Sequence, residues 1–349
     1  MRAPLKTTCV VIAALKTGWN ASPVKCSFTI RKLRFFACFR LALTASSTFL
    51  ETPLKRCLLG VLLLWLTPAW ASDAPRVAAL SWEATEHLLM LDVTPLTVAD
   101  AGDYRAWVVR PTLPADVSSS GSRLEPNLEL LAELQPELIV IPPLLEDIRP
   151  LLERIAPVQV YQGFSQQHDN LQVQREAFLD LARVLGREAL AKQRLQAMDD
   201  ELAQWRERLQ AHYGQRLPAV TVIRLSSPTA AFINGPNSMP QHALALLGLQ
   251  PAMDLAPSPW GITQVPITAL GRIEEGVVLH IEPFAQEAQL FASPLWQAMP
   301  FVREQRFAAI PSTWTYGGVF SLQYLAEAIG EALLKLPSES GKASQQSLE

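Results

Sequence analysis

Beyond Cys57 the chain has no cysteine: Cys9, Cys26, Cys38 and Cys57 all lie near the start of a 349-residue sequence. The long remainder therefore has no disulfide, no thiol nucleophile and no thiolate metal site. The spaced signatures of common catalytic centres are missing too. There is no Gly-x-Ser-x-Gly elbow, no His-Glu-x-x-His pair and no Gly-x-x-x-x-Gly-Lys-Ser/Thr loop. No basic surplus exists, since 30 Lys and Arg stand against 33 Asp and Glu, which argues against a nucleic-acid partner. Histidine is scarce: His87, His168, His212, His242 and His280 are scattered without ligand spacing, so no metal site is expected. His280, in VVLHIEP, is the one to check, although a strand-end histidine with a local hydrogen bond is the simpler reading.

Charge is unevenly placed. Residues 1–56 hold ten basic residues and one acid, Glu51, so the remainder carries a net −12. Leu54-Lys55-Arg56 forms a basic n-region, Cys57–Leu66 a ten-residue apolar run, and Ala69-Trp70-Ala71 a small-x-small cleavage site. Residues 54–71 thus read as a secretory signal peptide, with the exported chain starting near Ser72. The run is too short to span a bilayer comfortably. Residues 1–53 read as an extension produced by a start codon assigned too far upstream, or else as a long targeting segment.

The rest alternates short apolar runs with amphipathic stretches, the β-α-β rhythm of an α/β fold with mostly parallel, helix-covered sheets. Arg76–Ser81, Pro95–Ala99, Pro136–Ile141 and Val158–Tyr161 read as strands of a first lobe over residues 72–168. Asn127 caps a helix through Leu134. A helical connector follows over 169–187. Leu195, Met198, Leu202, Trp205 and Leu209 then recur at steps of 3 and 4, the buried stripe of a helix. A second lobe over 188–336 has strands at Ala219–Leu225, Ala231–Asn234, Val277–Ile281 and Arg306–Ile310 and ends on a helix over Ser321–Leu336. A polar tail, 337–349, closes the chain. Ligands commonly bind between two such lobes.

Aromatic residues stand out in the segments between these elements: Trp82, Trp107, Trp260, Trp314 and Tyr316. Each alone is as readily a loop-packing residue. Five near strand ends in both lobes point to a cleft lined by apolar faces with polar handles. Arg123 precedes the helix opened by Asn127, where it either donates several hydrogen bonds into the cleft or pairs with Glu125.

The stretches VADAGDYRAWV (98–108), SRLEPNLELLAEL (122–134), NGPNS (234–238), SPLWQAMPFVREQRF (293–307) and PSTWTYGG (311–318) resemble the periplasmic ferric-hydroxamate (ferrichrome-type) siderophore-binding proteins of ABC iron importers. The resemblance runs from about Arg76 to Leu334. It implies two Rossmann-like lobes joined by one long helix, the class III arrangement, and a monomeric periplasmic receptor with no catalysis. The iron would arrive already wrapped in hydroxamate oxygens, so no cofactor and no protein ligands to the metal are needed. The resemblance places Trp82, Trp107, Trp260, Trp314, Tyr316 and Arg123 in the pocket. Where the family has a hydroxamate-bonding tyrosine this chain has Leu145, which exchanges a hydrogen bond for an apolar contact. The family also docks an inner-membrane permease through one acid on each lobe. Glu146 or Asp147 and Glu274 or Glu275 lie near those positions, and they read equally well as solvated helix-start charges. The rival readings are the same fold carrying haem, a corrinoid or a catecholate, and a periplasmic enzyme whose nucleophile or redox group is not visible.

Overall fold

The computed structural model of the protein describes residues 75–337. The expected extension (1–53), the signal peptide (54–71) and all of the polar tail but Pro337 lie outside the described residues. The first lobe is built on β1 (Val77–Ala79), β2 (Thr97–Val98), β3 (Ser118–Ser119), β4 (Leu138–Ile141) and β5 (Val158–Val160), in the spatial order β3-β2-β1-β4-β5. Every pairing is parallel. The central strands β1 and β4 are apolar and buried along their whole length, as strands covered on both faces must be. Helix α1 (Trp82–Met90) leaves β1 through a Ser81 cap, and α2 (Leu128–Leu134) starts on Asn127, whose Oδ1 accepts from Leu130 N at 3.0 Å. Between β2 and β3 the chain winds through a five-residue π-helical turn, Tyr104–Val108.

Helix α3 (Asn170–Val184) follows the first sheet, capped by Asp169, and α4 (Glu188–Tyr213) packs beside it. The stripe Leu195, Met198, Leu202, Trp205 and Leu209 is buried as its spacing requires. Arg208 stacks 3.9 Å from the Trp205 ring.

The second sheet is ordered β11-β10-β6-β7-β9, with β8 (Gln250–Pro251) beside β6. Its strands are β6 (Ala219–Ser227), β7 (Ala230–Asn234), β9 (Ile262–Pro266), β10 (Val277–Ile281) and β11 (Phe307–Ile310). It is less parallel than the sequence rhythm implies. The short turn at Pro228-Thr229 makes β6 and β7 an antiparallel hairpin, and β9 adds a second antiparallel pairing. β9 itself falls in a segment read as loop, because it is half-exposed and lies close to prolines. Helices α5 (Met239–Leu246) and α6 (Val319–Lys335) complete this lobe.

The lobes meet at the start of α6. Its N-cap is Gly318, which has no side chain to accept from the first amides of the helix, and such groups cannot be left buried and unpaired. Glu86, on α1 of the other lobe, supplies the acceptor. Its carboxylate takes bonds from Gly318 N (3.2 Å), Phe320 N (2.8 Å) and Ser321 N (3.0 Å), and from the Ser321 hydroxyl. His87 Nε2 accepts from Val319 N at 3.2 Å. The approach needs glycine: a Cβ on Gly318 would collide with His87 Nε2 and lie 2.8 Å from Glu86 Oε1. Burial pushes Glu86 up to about 7, against the pull of its donors, and holds His87 down to about 3, so the histidine is a neutral acceptor. Further ties are Arg110 to Glu327 at 2.7 Å and Ser312 Oγ donating to Trp107 O at 3.1 Å. Where the NGPNS turn meets the start of α3, Asn170 donates from Nδ2 to Asn237 O at 2.9 Å and from its backbone N to Asn237 Oδ1 at 3.1 Å.

Two outcomes follow from this joint. Gly318→Ala should cost about 1–3 kcal/mol by overpacking, read as a lower denaturant midpoint. The folded-state value of Glu86, near 7, exceeds its ordinary 4.5. Its contribution to stability is therefore complete below about pH 4.5 and is lost as pH rises through 7. His87 works in the opposite sense between about 3 and 6.5 and offsets part of this slope in the wild type. The stability difference between wild type and Glu86→Gln should accordingly shrink from pH 4.5 to pH 7.5 in chemical denaturation. A constant difference would contradict the shifted carboxyl.

Candidate ligand cleft

Loops from both lobes bring an aromatic run to the junction. Tyr104 meets Trp82 edge-on at 6.2 Å, Trp82 meets Trp314 at 4.9 Å, Trp314 meets Tyr316 at 5.8 Å, and Tyr316 meets Phe164 at 6.0 Å. The Tyr316 hydroxyl donates to Trp260 O at 2.9 Å, and burial pushes its pKa up to about 12, so it stays a donor. Trp314 is half-buried, and its Nε1 is buried without a hydrogen-bond partner. Gly261, at φ +65°, brings its backbone against Phe164, whose Cζ would lie 2.6 Å from an added Cβ.

Arg123 lies flat on this run, 3.6 Å from the Trp82 ring and 5.8 Å from that of Trp314. Its partner is Asp100 and not Glu125. Asp100 Oδ2 accepts from both the Arg123 backbone N (3.0 Å) and Nε (3.2 Å). Asp100 reaches both from a left-handed backbone at φ 49°. Arg123 is thus held by one carboxylate, which takes both its backbone N–H and its Nε–H, and by a ring face, with about a third of its side chain exposed. Arg105, a second basic residue of this region, is structural: its guanidinium binds Ala101 O, Pro114 O and Val117 O.

Several expected pocket residues sit differently. Trp82 is the first residue of α1 and not a loop residue. It is 2 % exposed and donates from Nε1 to Ala99 O at 3.0 Å. It is therefore the floor beneath Arg123, because the strand-to-helix turn after β1 aims it inward. Leu145 is likewise no wall of the cleft. The 3-10 turn Pro143–Ile148 turns it into the first-lobe core, 3 % exposed, while its neighbour Leu144 is 57 % exposed. Trp107 projects from the π-helical turn, 39 % exposed, and Trp260 stands out at 67 %.

Asp100, Phe164 and Arg224 are further residues of this region that the sequence does not single out. Phe164 is an isolated apolar residue in the polar run QGFSQQHDN. Arg224 is a charge inside the apolar strand β6, a signal that was available. Its guanidinium lies 5.8 Å from the Trp107 ring and donates from Nη2 to Thr313 O at 3.2 Å.

Glu146, Asp147, Glu274 and Glu275 are all exposed, the first pair just after β4 and the second just before β10. His280 is fully buried on β10, with its ring stacked on Phe307 at 5.7 Å. Glu282 and Glu287 approach it, but the His280–Glu287 separation of 4.0 Å exceeds the roughly 3.4 Å between neighbouring ligands of a tetrahedral ion.

Comparison with known proteins agrees with this architecture. The periplasmic binding protein family matches residues 77–313. The iron(3+)-hydroxamate-binding protein FhuD of Escherichia coli is 34% identical over 277 residues, 78% of this chain and 92% of that protein. The Fe(3+) dicitrate-binding periplasmic protein FecB of the same organism is 25% identical over 72% of this chain and 82% of its own length. The crystal structure of FhuD from Vibrio cholerae bound to Fe3+-Desferal superposes with a TM-score of 0.73 at 40% identity, covering 76% of this chain and all of that one. Two helix-flanked α/β lobes, the matched span and these relatives together place the chain in the periplasmic binding protein family.

Proposed function

We propose that the protein is the periplasmic receptor of an ABC importer, exported by the 54–71 signal peptide, that captures a ferric hydroxamate siderophore in the cleft and passes it to an inner-membrane permease without covalent chemistry. The observation that carries this reading is the Arg123 guanidinium held over the Trp82 ring by Asp100, beside the edge-on contact of Trp82 with Trp314. A ferric hydroxamate presents a compact set of oxygens around a metal that is already coordinated. It asks of a receptor only donors for those oxygens and apolar faces for the organic body. Arg123 supplies the donors in a fixed orientation, so little side-chain entropy is lost on binding. Trp107, Trp260, Trp314, Tyr316 and Phe164 supply the faces. The relatives named for hydroxamates and for the Desferal complex support the same ligand class. The exposed acids Glu146 or Asp147 and Glu274 or Glu275 are the groups proposed to meet basic residues of the permease, where charge complementarity speeds encounter.

Tryptophan fluorescence of the purified protein, titrated with ferrichrome, ferrioxamine B, ferric enterobactin and haem, should show saturable quenching by a hydroxamate. Arg123→Ala should weaken that binding by about 10-fold or more, the cost of a lost charge-assisted hydrogen bond. Saturation by haem or enterobactin alone would refute the hydroxamate class.

A further inference from the structure

We propose that Arg224 is a second recognition point in this cleft, reading a carboxylate or other anionic group on the siderophore body from the second lobe. The inference rests on the reading above and narrows its ligand class. Arg224 lies toward the carboxyl end of the parallel part of β6, in register with Phe232 of β7. In open α/β sheets ligands sit outside the carboxyl ends of the strands. The chain leaving the carboxyl end of β11 runs through Ser312, Thr313 and Trp314 to the aromatic run, and Arg224 Nη2 reaches the Thr313 carbonyl at 3.2 Å. On the other side the guanidinium faces Trp107, 5.8 Å away, a residue of the first lobe. Arg224 thus stands on the second-lobe side of the junction, between Trp107 and the residue that precedes Trp314.

Its charge is uncompensated. Arg123 is neutralised by Asp100, and both terminal nitrogens of Arg105 bind backbone carbonyls. Among the described residues no carboxylate pairs with Arg224, and its Nη1 is buried without any hydrogen-bond partner. The nearby Trp314 Nε1 is a second buried donor without a partner, one residue along from Thr313. A partner-less buried donor costs stability, and a guanidinium more than most. An anionic oxygen entering from the cleft would satisfy it and would be held strongly at reduced dielectric.

The test uses three ferric trihydroxamates with the same iron-binding groups and different charge. These are neutral ferrichrome, ferrioxamine B with its terminal ammonium, and the N-succinylated form of ferrioxamine B with a terminal carboxylate. Dissociation constants are read by tryptophan quenching at low and high salt. Wild type should bind the carboxylate form at least about 10-fold tighter than the ammonium form, with the ratio shrinking as salt rises. Arg224→Gln should bring the ratio to within about 2-fold, whereas Arg224→Lys should keep part of it. Arg123→Gln should weaken all three ligands alike. A thermal melt shows whether Arg224→Gln is folded; if it is not, the wild-type ratio and the Arg224→Lys ratio decide. Wild type binding all three without preference for charge, or a folded Arg224→Gln that keeps the preference, overturns the role of Arg224 and leaves the hydroxamate reading intact. Wild type binding none of the three overturns both.

Discussion

A glycine at the N-cap of the last helix is the constraint on which the two-lobe arrangement turns. Gly318 leaves the opening amides of α6 without an acceptor of their own, and a carboxylate from the other lobe fills that role. The exchange serves both sides. Glu86 is buried, and a buried carboxylate needs donors as much as the helix start needs an acceptor. Because α6 is 17 residues long, its N-terminus also carries the positive end of a substantial macrodipole. Glycine in place of the usual Ser, Thr, Asp or Asn is what lets α1 come this close.

The cleft follows from that joint. α1 begins at Trp82 directly after β1, and Glu86 lies one turn further along the same helix. The residue that roots the helix start of the second lobe is therefore rigidly linked to the residue beneath Arg123. On the other side, α6 begins only three residues after Tyr316. Fixing α1 against the start of α6 brings Trp82 and Trp314 to 4.9 Å and closes the aromatic run. One buried contact sets both the lobe spacing and the position of the pocket floor.

Elements with strong periodicity were legible in the sequence. The apolar runs of β4 and β10, the Asn127 cap and the stripe of α4 each report local physics, and each is where the residues alone put it. What escaped depends on neighbours distant in sequence. Glu86 reads as one more acid on a polar helix face until Gly318 arrives from 232 residues away. Trp82 looks like a loop aromatic because the turn that starts α1 is invisible to spacing. Leu145 and Leu144 are adjacent apolar residues, and only the phase of a 3-10 turn decides which one faces the core. β9 was missed because an edge strand exposed on one side carries a weak alternation. At the junction, Trp82, Trp314, Tyr316 and Arg123 are neighbours in space as the sequence groups them, while Asp100 and Phe164 join them only through the fold, and Arg224 stands out in the sequence only as a charge inside an apolar strand.

Rigidity at the joint bears on how such a cleft selects its ligand. Moving the lobes apart would expose the Glu86 carboxylate together with the amides it accepts from, and would also break the two bonds from Asn170 to Asn237 and the Arg110–Glu327 pair. Leaving a buried carboxyl and several helix-start amides unpaired costs on the order of several kcal/mol. The joint thus favours a preformed cleft over a wide hinge, and discrimination then rests on what the walls present when the ligand arrives. Here the walls present broad aromatic faces, which tolerate variation in the organic body, and two guanidinium groups of unequal standing. One is charge-balanced by its own carboxylate and suits the oxygens of a neutral ferric centre. The other has no carboxylate of its own, so its electrostatic demand passes to whatever the ligand carries.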